Sequence, residues 1–131
     1  MSFDIHLACF KGGGEQRFPK SIVEEALGPF IVSKEDGLWS LNFPDGGGGD
    51  CYIRNDEEIS GFIINRPGGL NLYNCVFEIM RQTTTALFWD SGIVIADHMR
   101  ADDLDPGMVD ALGEPIVVHS GADIVEAIEE S

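Results

Sequence analysis

Residues 61–96 constrain this chain more than any other stretch. Apolar runs at residues 62–64 and 86–89 flank a wide helical stripe from Leu70 to Met80, and together they carry more apolar surface than a small domain leaves in water. A strand, helix, strand unit is expected at the core.

The rest of the chain is read around that unit. Phe3, Ile5, Leu7 and Cys9 alternate with Asp4, His6, Ala8 and Phe10, the period of a strand with one face on the core. Ser21 and Glu24 have the spacing of a capping box, so a short helix is expected to open at Ser21 and to stop at Gly28 and Pro29. Residues 30–33 and 38–43 flank a turn ending in Gly37 and predict a hairpin. Four consecutive glycines, Gly46, Gly47, Gly48 and Gly49, have too much backbone freedom to hold a regular element cheaply and predict a mobile loop tip. Beyond residue 97, Pro106 is placed to start a short helix reaching Leu112, residues 116–118 form a brief strand, and Ser120 caps a terminal helix with Ile124, Val125, Ala127 and Ile128 inward. Residues 23–32 and 109–118 share a helix, glycine, proline, strand order, which is read as common turn chemistry rather than duplication.

This order, with strands that mostly alternate, predicts an α+β fold of two layers, a mostly antiparallel sheet covered by helices. A split β-α-β (ferredoxin-like) plan with an acidic C-terminal extension is the leading topology. Length supports a single domain over residues 1–131, with residues 97–131 as an acidic segment packed on it. The hydrophobic fraction of 44% is that of a chain with a packed core, despite the charge.

Charge narrows the partners. Acidic side chains outnumber basic ones 23 to 8, for a net charge of -15, so nucleic acid and anionic membrane surfaces are poor partners and a basic protein is the expected one. Residues 97–131 carry ten acids and one base, Arg100. The chain opens on a strand pattern rather than an export signal, and no apolar run reaches membrane-spanning length. Cys9, Cys51 and Cys75 are odd in number and widely spaced, which suits reduced thiols and a cytoplasmic location.

Chemistry-bearing patterns are few. Asn65, Arg66, Pro67, Gly68 and Gly69 precede the main helix, where free amides and an arginine suit a phosphate or carboxylate; Asn65, Arg66, Gly68 and Gly69 are the anion-binding candidates. The nucleotide-loop glycine patterns are absent, and a rigid turn is the plainer reading. Asp97, His98, Asp102, Asp103 and Asp105 lack the calcium-loop spacing and read as a solvated acidic loop. His6, His98, His119 and Cys75 make no catalytic pattern, and no metal or cofactor fingerprint occurs. Aromatic residues on strands, Trp39, Phe43, Tyr52, Tyr73, Phe88 and Trp89, belong mostly to the core, and alternation leaves the face of Trp39 open. Trp39 with Asp102, Asp103 and Asp105 forms the partner-binding candidate set.

The opening Met1-Ser2-Phe3-Asp4-Ile5, with Leu7, Cys9 and Phe10, and the Asn65-Arg66-Pro67 run followed by Gly68 resemble a small family of uncharacterised single-domain bacterial proteins. The resemblance covers most of the length and implies no activity. In composition the chain is also similar to immunity proteins that block a toxin. A non-catalytic acidic protein-binding module is the expected function; the alternative is a small-molecule or anion-binding domain, or a modest enzyme, using the loop from Asn65 to Gly69.

Overall fold

A computed structural model describes residues 3–131. Eleven strands and four α-helices build an α+β fold, ordered β1 (Asp4–Lys11), β2 (Gly14–Glu15), β3 (Phe18–Pro19), α1 (Lys20–Leu27), β4 (Ile31–Glu35), β5 (Leu38–Asn42), β6 (Gly48–Tyr52), β7 (Glu58–Ile59), β8 (Gly61–Gly68), α2 (Leu70–Gln82), β9 (Thr85–Trp89), β10 (Gly92–Ala96), α3 (Pro106–Leu112), β11 (Ile116–Val118) and α4 (Gly121–Glu129). The main sheet runs β11-β10-β9-β1-β8-β6-β5-β4, with β2 hairpinned onto β1, and β3 pairs with β7 separately. All pairs are antiparallel except β10 with β11.

The expected split β-α-β unit is β8-α2-β9. Strands β8 and β9 each pair antiparallel with β1, which lies between them, so they run parallel to one another and α2 makes the crossover. The plan is widened by the meander β4-β5-β6 on one side and by β10 and β11 on the other. The acidic last quarter is part of this frame: β11 adds to the sheet, and α4 packs on α2 with Ile124 fully buried. A Cβ at Gly121 would stand 2.3 Å from the Asn74 side chain and 2.6 Å from its backbone nitrogen, so glycine is what lets α4 approach α2 this closely.

Helices α1, α2 and α4 cover one face, the inner one, where Ile5, Leu7, Ile64, Leu87 and Val94 meet Val23, Leu27, Leu72, Val76, Ile79 and Ile124. On the opposite, outer face a second, smaller cluster lies at one end only. Ala86, Ile93 and Ile95 are sealed there by Met99 and Leu104 and by Met108, Val109 and Leu112 of α3. Coverage on this side is the departure from a plain two-layer sheet.

Two local expectations change. Helix α1 begins at Lys20 rather than Ser21 and its start has no side-chain cap; the Lys20 amide donates instead to the Glu57 carbonyl in the β7 turn, so the capping box is not formed. The glycine run is only half a loop, since Gly46 and Gly47 lie in the β5-β6 turn while Gly48 and Gly49 lie within β6. A Cβ at Gly47 would sit 2.2 Å from the Gly68 carbonyl oxygen and one at Gly48 2.3 Å from that of Leu41, so at these two positions backbone passes against backbone, whereas Gly46 is favoured by its φ of 85°.

Candidate functional site: the uncovered half of the sheet

Register decides what the outer face presents. Phe88, His6, Ile63 and Tyr52 are successive cross-strand partners on β9, β1, β8 and β6, and Leu38 and Glu35 extend the row to the edge. The His6 and Phe88 rings stack with centroids 5.1 Å apart and planes within 17°. Ile63 and Tyr52 retain 37% and 49% of their accessible surface, so among the described residues none covers this end of the row. The row floors a shallow hollow of about 480 Å³ that reaches Gly37 and Arg54.

One step along the strands lies a polar row, Asp4, Asn65, Asp50 and Ser40, again successive partners. The Asn65 side chain donates to Asp4. Asp4 and Asp50 therefore border the apolar row along one side, while Glu35 and the exposed Asp36 stand at its β4 end. Arg54, the charged residue that lines the hollow, is paired to Asp56 at 2.9 Å.

The anion-binding candidates fall elsewhere. Asn65, Arg66 and Gly68 belong to β8, and Gly69, at φ 88°, precedes the first residue of α2. An internal carboxylate already occupies the amides at the start of that helix: Asp45 accepts from Asn71 at 3.0 Å and from Gly47 at 2.9 Å. The Asn71 amide first, then that of Gly47, holds the Asp45 carboxyl below its usual range. Glycine at 47 and 69 lets this loop seat against the helix start; a Cβ at Gly69 would be 2.8 Å from Asp45 Oδ1. Arg66 lies exposed at φ 52°, with its amide bonded to the Phe3 carbonyl. Asn65 and Arg66 are thus not gathered with Gly68 and Gly69 around an open pocket.

The partner-binding candidates are also separated. Trp39 is a core residue, 3% exposed, with the Lys34 ammonium 4.8 Å from its ring centroid and that lysine reaching on to Glu24. Asp103 accepts from the Gly12 amide at 3.2 Å and the Arg100 amide at 3.1 Å, fastening the β1-β2 turn to the C-terminal segment; these bonds, Arg100 first, hold its carboxyl below the usual carboxylate range. Asp105 caps α3 through the Gly107 amide at 2.9 Å. Asp102 is exposed. Among the described residues, no group of three histidine, cysteine or acidic side chains is arranged to hold a metal ion.

Tyr52, Ile63 and Phe88 gain significance only through register. Tyr52 and Phe88 stood in the sequence among strand aromatics, but the signal that joins them, one residue of each of four strands on one cross-strand line, depends on a pairing order that alternation does not reveal. Comparison with family models, with curated proteins and with solved structures returns no match to this chain. No helix among the described residues is long and apolar enough to cross a membrane.

Proposed function

We propose that this chain is a non-catalytic, acidic binding module of the bacterial cytoplasm that docks a basic protein segment on the uncovered half of its sheet. The observation that carries the reading is the open row of His6, Phe88, Ile63 and Tyr52 bordered by Asp4 and Asp50. An apolar anchor fills the 480 Å³ hollow, and lysine or arginine reaching toward the neighbouring polar row meets Asp4 and Asp50. The net charge of -15 steers such a partner and repels phosphate backbones.

Affinity capture with wild type and Ile63→Asp tests the proposal. The expected result is a basic protein retained by wild type at low salt, released as ionic strength rises, and lost with the variant, whose melting temperature stays near that of wild type. Retention that ignores both salt and Ile63→Asp would refute it.

A further inference from the structure

On the opposite side of β1 from the proposed docking row, a second hollow of about 390 Å³ opens where Cys9, the 16–19 segment, the end of α2 and His98 meet. Its volume falls in the lower part of the range of small-molecule sites, roughly 300–1,000 Å³. None of the residues lining it is acidic, in a chain with 23 acids. Phe18 and Ile22 form an apolar wall, and Arg17, Thr84 and His98 form the polar one.

The cations of the other hollows are already committed. Lys20 donates to Asn55, Lys34 to Glu24 and Arg54 to Asp56. Arg81, at the rim here, is held by Glu78 through two bonds of 2.8 Å. Arg17 differs: among the described residues it makes no ion pair and no side-chain hydrogen bond.

The polar wall is organised from behind. His98 Nε2 lies 2.6 Å from the Thr83 carbonyl oxygen, which can only accept, so this nitrogen carries its proton and the ring is fixed as a side of the hollow. Thr84 Oγ1 is 3.3 Å from Cys9 Sγ. With the thiol as donor in that pair, the threonine hydroxyl hydrogen is free to turn toward the cavity.

We infer that this hollow binds a small organic carboxylate with an apolar body, its carboxylate on Arg17 and the Thr84 hydroxyl and its body against Phe18 and Ile22. This site is independent of the sheet-face reading and stands whether or not a protein docks there. An unpaired guanidinium offers two parallel donors to a carboxylate, the pairing that a single ammonium cannot match.

Benzoate is the probe, with benzamide as its uncharged counterpart and inorganic phosphate as the anion without an apolar body, each titrated into isotope-labelled full-length protein and followed by amide shifts. Saturable shifts at Arg17 and Thr84 with benzoate alone are expected, and Arg17→Gln weakens binding by about tenfold, the loss of one charge-assisted contact. Thr84→Val gives a smaller loss, and Arg66→Gln, at the opposite end of α2, gives none. Arg17 is exposed, so its variant retains the fold. Equal binding of benzamide or phosphate, equal effects of Arg17→Gln and Arg66→Gln, or no saturable shift at millimolar benzoate would overturn the assignment.

Discussion

The two ends of the sheet's outer face belong to one continuous sheet and meet opposite fates. At the β9-β10 end, Ala86, Ile93 and Ile95 point outward and are buried under α3 and the residues before it. At the β8-β6 end, Ile63 and Tyr52 occupy the corresponding layer and stay open. The difference is the chemistry of alternate positions. Strand β10 is apolar on both faces and therefore needs two covers, whereas β1 and β8 interleave buried residues with Asp4, His6 and Asn65 and need one. The covered end is a second core, and the open end is surface held flat by the first.

The contrast is broken most strongly by truncating one outward isoleucine at each end. Ile95→Ala is expected to cost about 2–5 kcal/mol in denaturant unfolding, since it empties a sealed site, while Ile63→Ala stays within roughly 0.5 kcal/mol. Similar losses at the two positions would mean that the β8-β6 end is also packed.

A smaller effect tests what keeps the open end rigid. Gly47→Ala puts a methyl 2.2 Å from the Gly68 carbonyl and is expected to cost about 1–3 kcal/mol, with amide shifts that spread through β6 and the start of α2. A variant as stable as wild type would show that the loop is free to move aside.

Acid sharpens the comparison from the other side, because each end holds one carboxylate with a lowered pKa: Asp103 by the covered end and Asp45 by the open one. A carboxyl that is depressed in the folded state contributes stability above its unfolded value, near 3.8, and that contribution is lost as pH falls through the folded value. Stability should therefore decline below about pH 4. Asp45→Asn and Asp103→Asn should each flatten that decline in a pH series of melts, and an unchanged slope in both would remove the carboxylates from the account.

The sequence carries part of this structure openly. The stripe from Leu70 to Met80 becomes α2, the alternation from Phe3 to Phe10 becomes β1, and Pro106 and Ser120 mark helix starts. The continuous apolar character of residues 92–96 also encodes the second cover, but a short apolar run is equally compatible with burial inside one thick layer, so the need for α3 above it is hidden. Tertiary accidents hid the rest. The Ser21 box gave way because the Lys20 amide found a carbonyl from a distant turn, and the glycines look like freedom in isolation while the fold uses them as clearance. Trp39 turned inward because β5 pairs with β6 so that Cys51 shares its face. The Arg17 hollow draws its walls from four separate segments, a convergence with no local pattern to announce it.

Placing β1 between two strands that follow it at long range has a cost in time. Leu7 lies between Phe62 and Leu87, so β1 leaves the ribosome long before either neighbour exists, and its one local partner, β2, reaches only Phe10 and Lys11. Closure of the sheet waits on distant chain, which places the rate of assembly under the control of loop entropy rather than of local propensity.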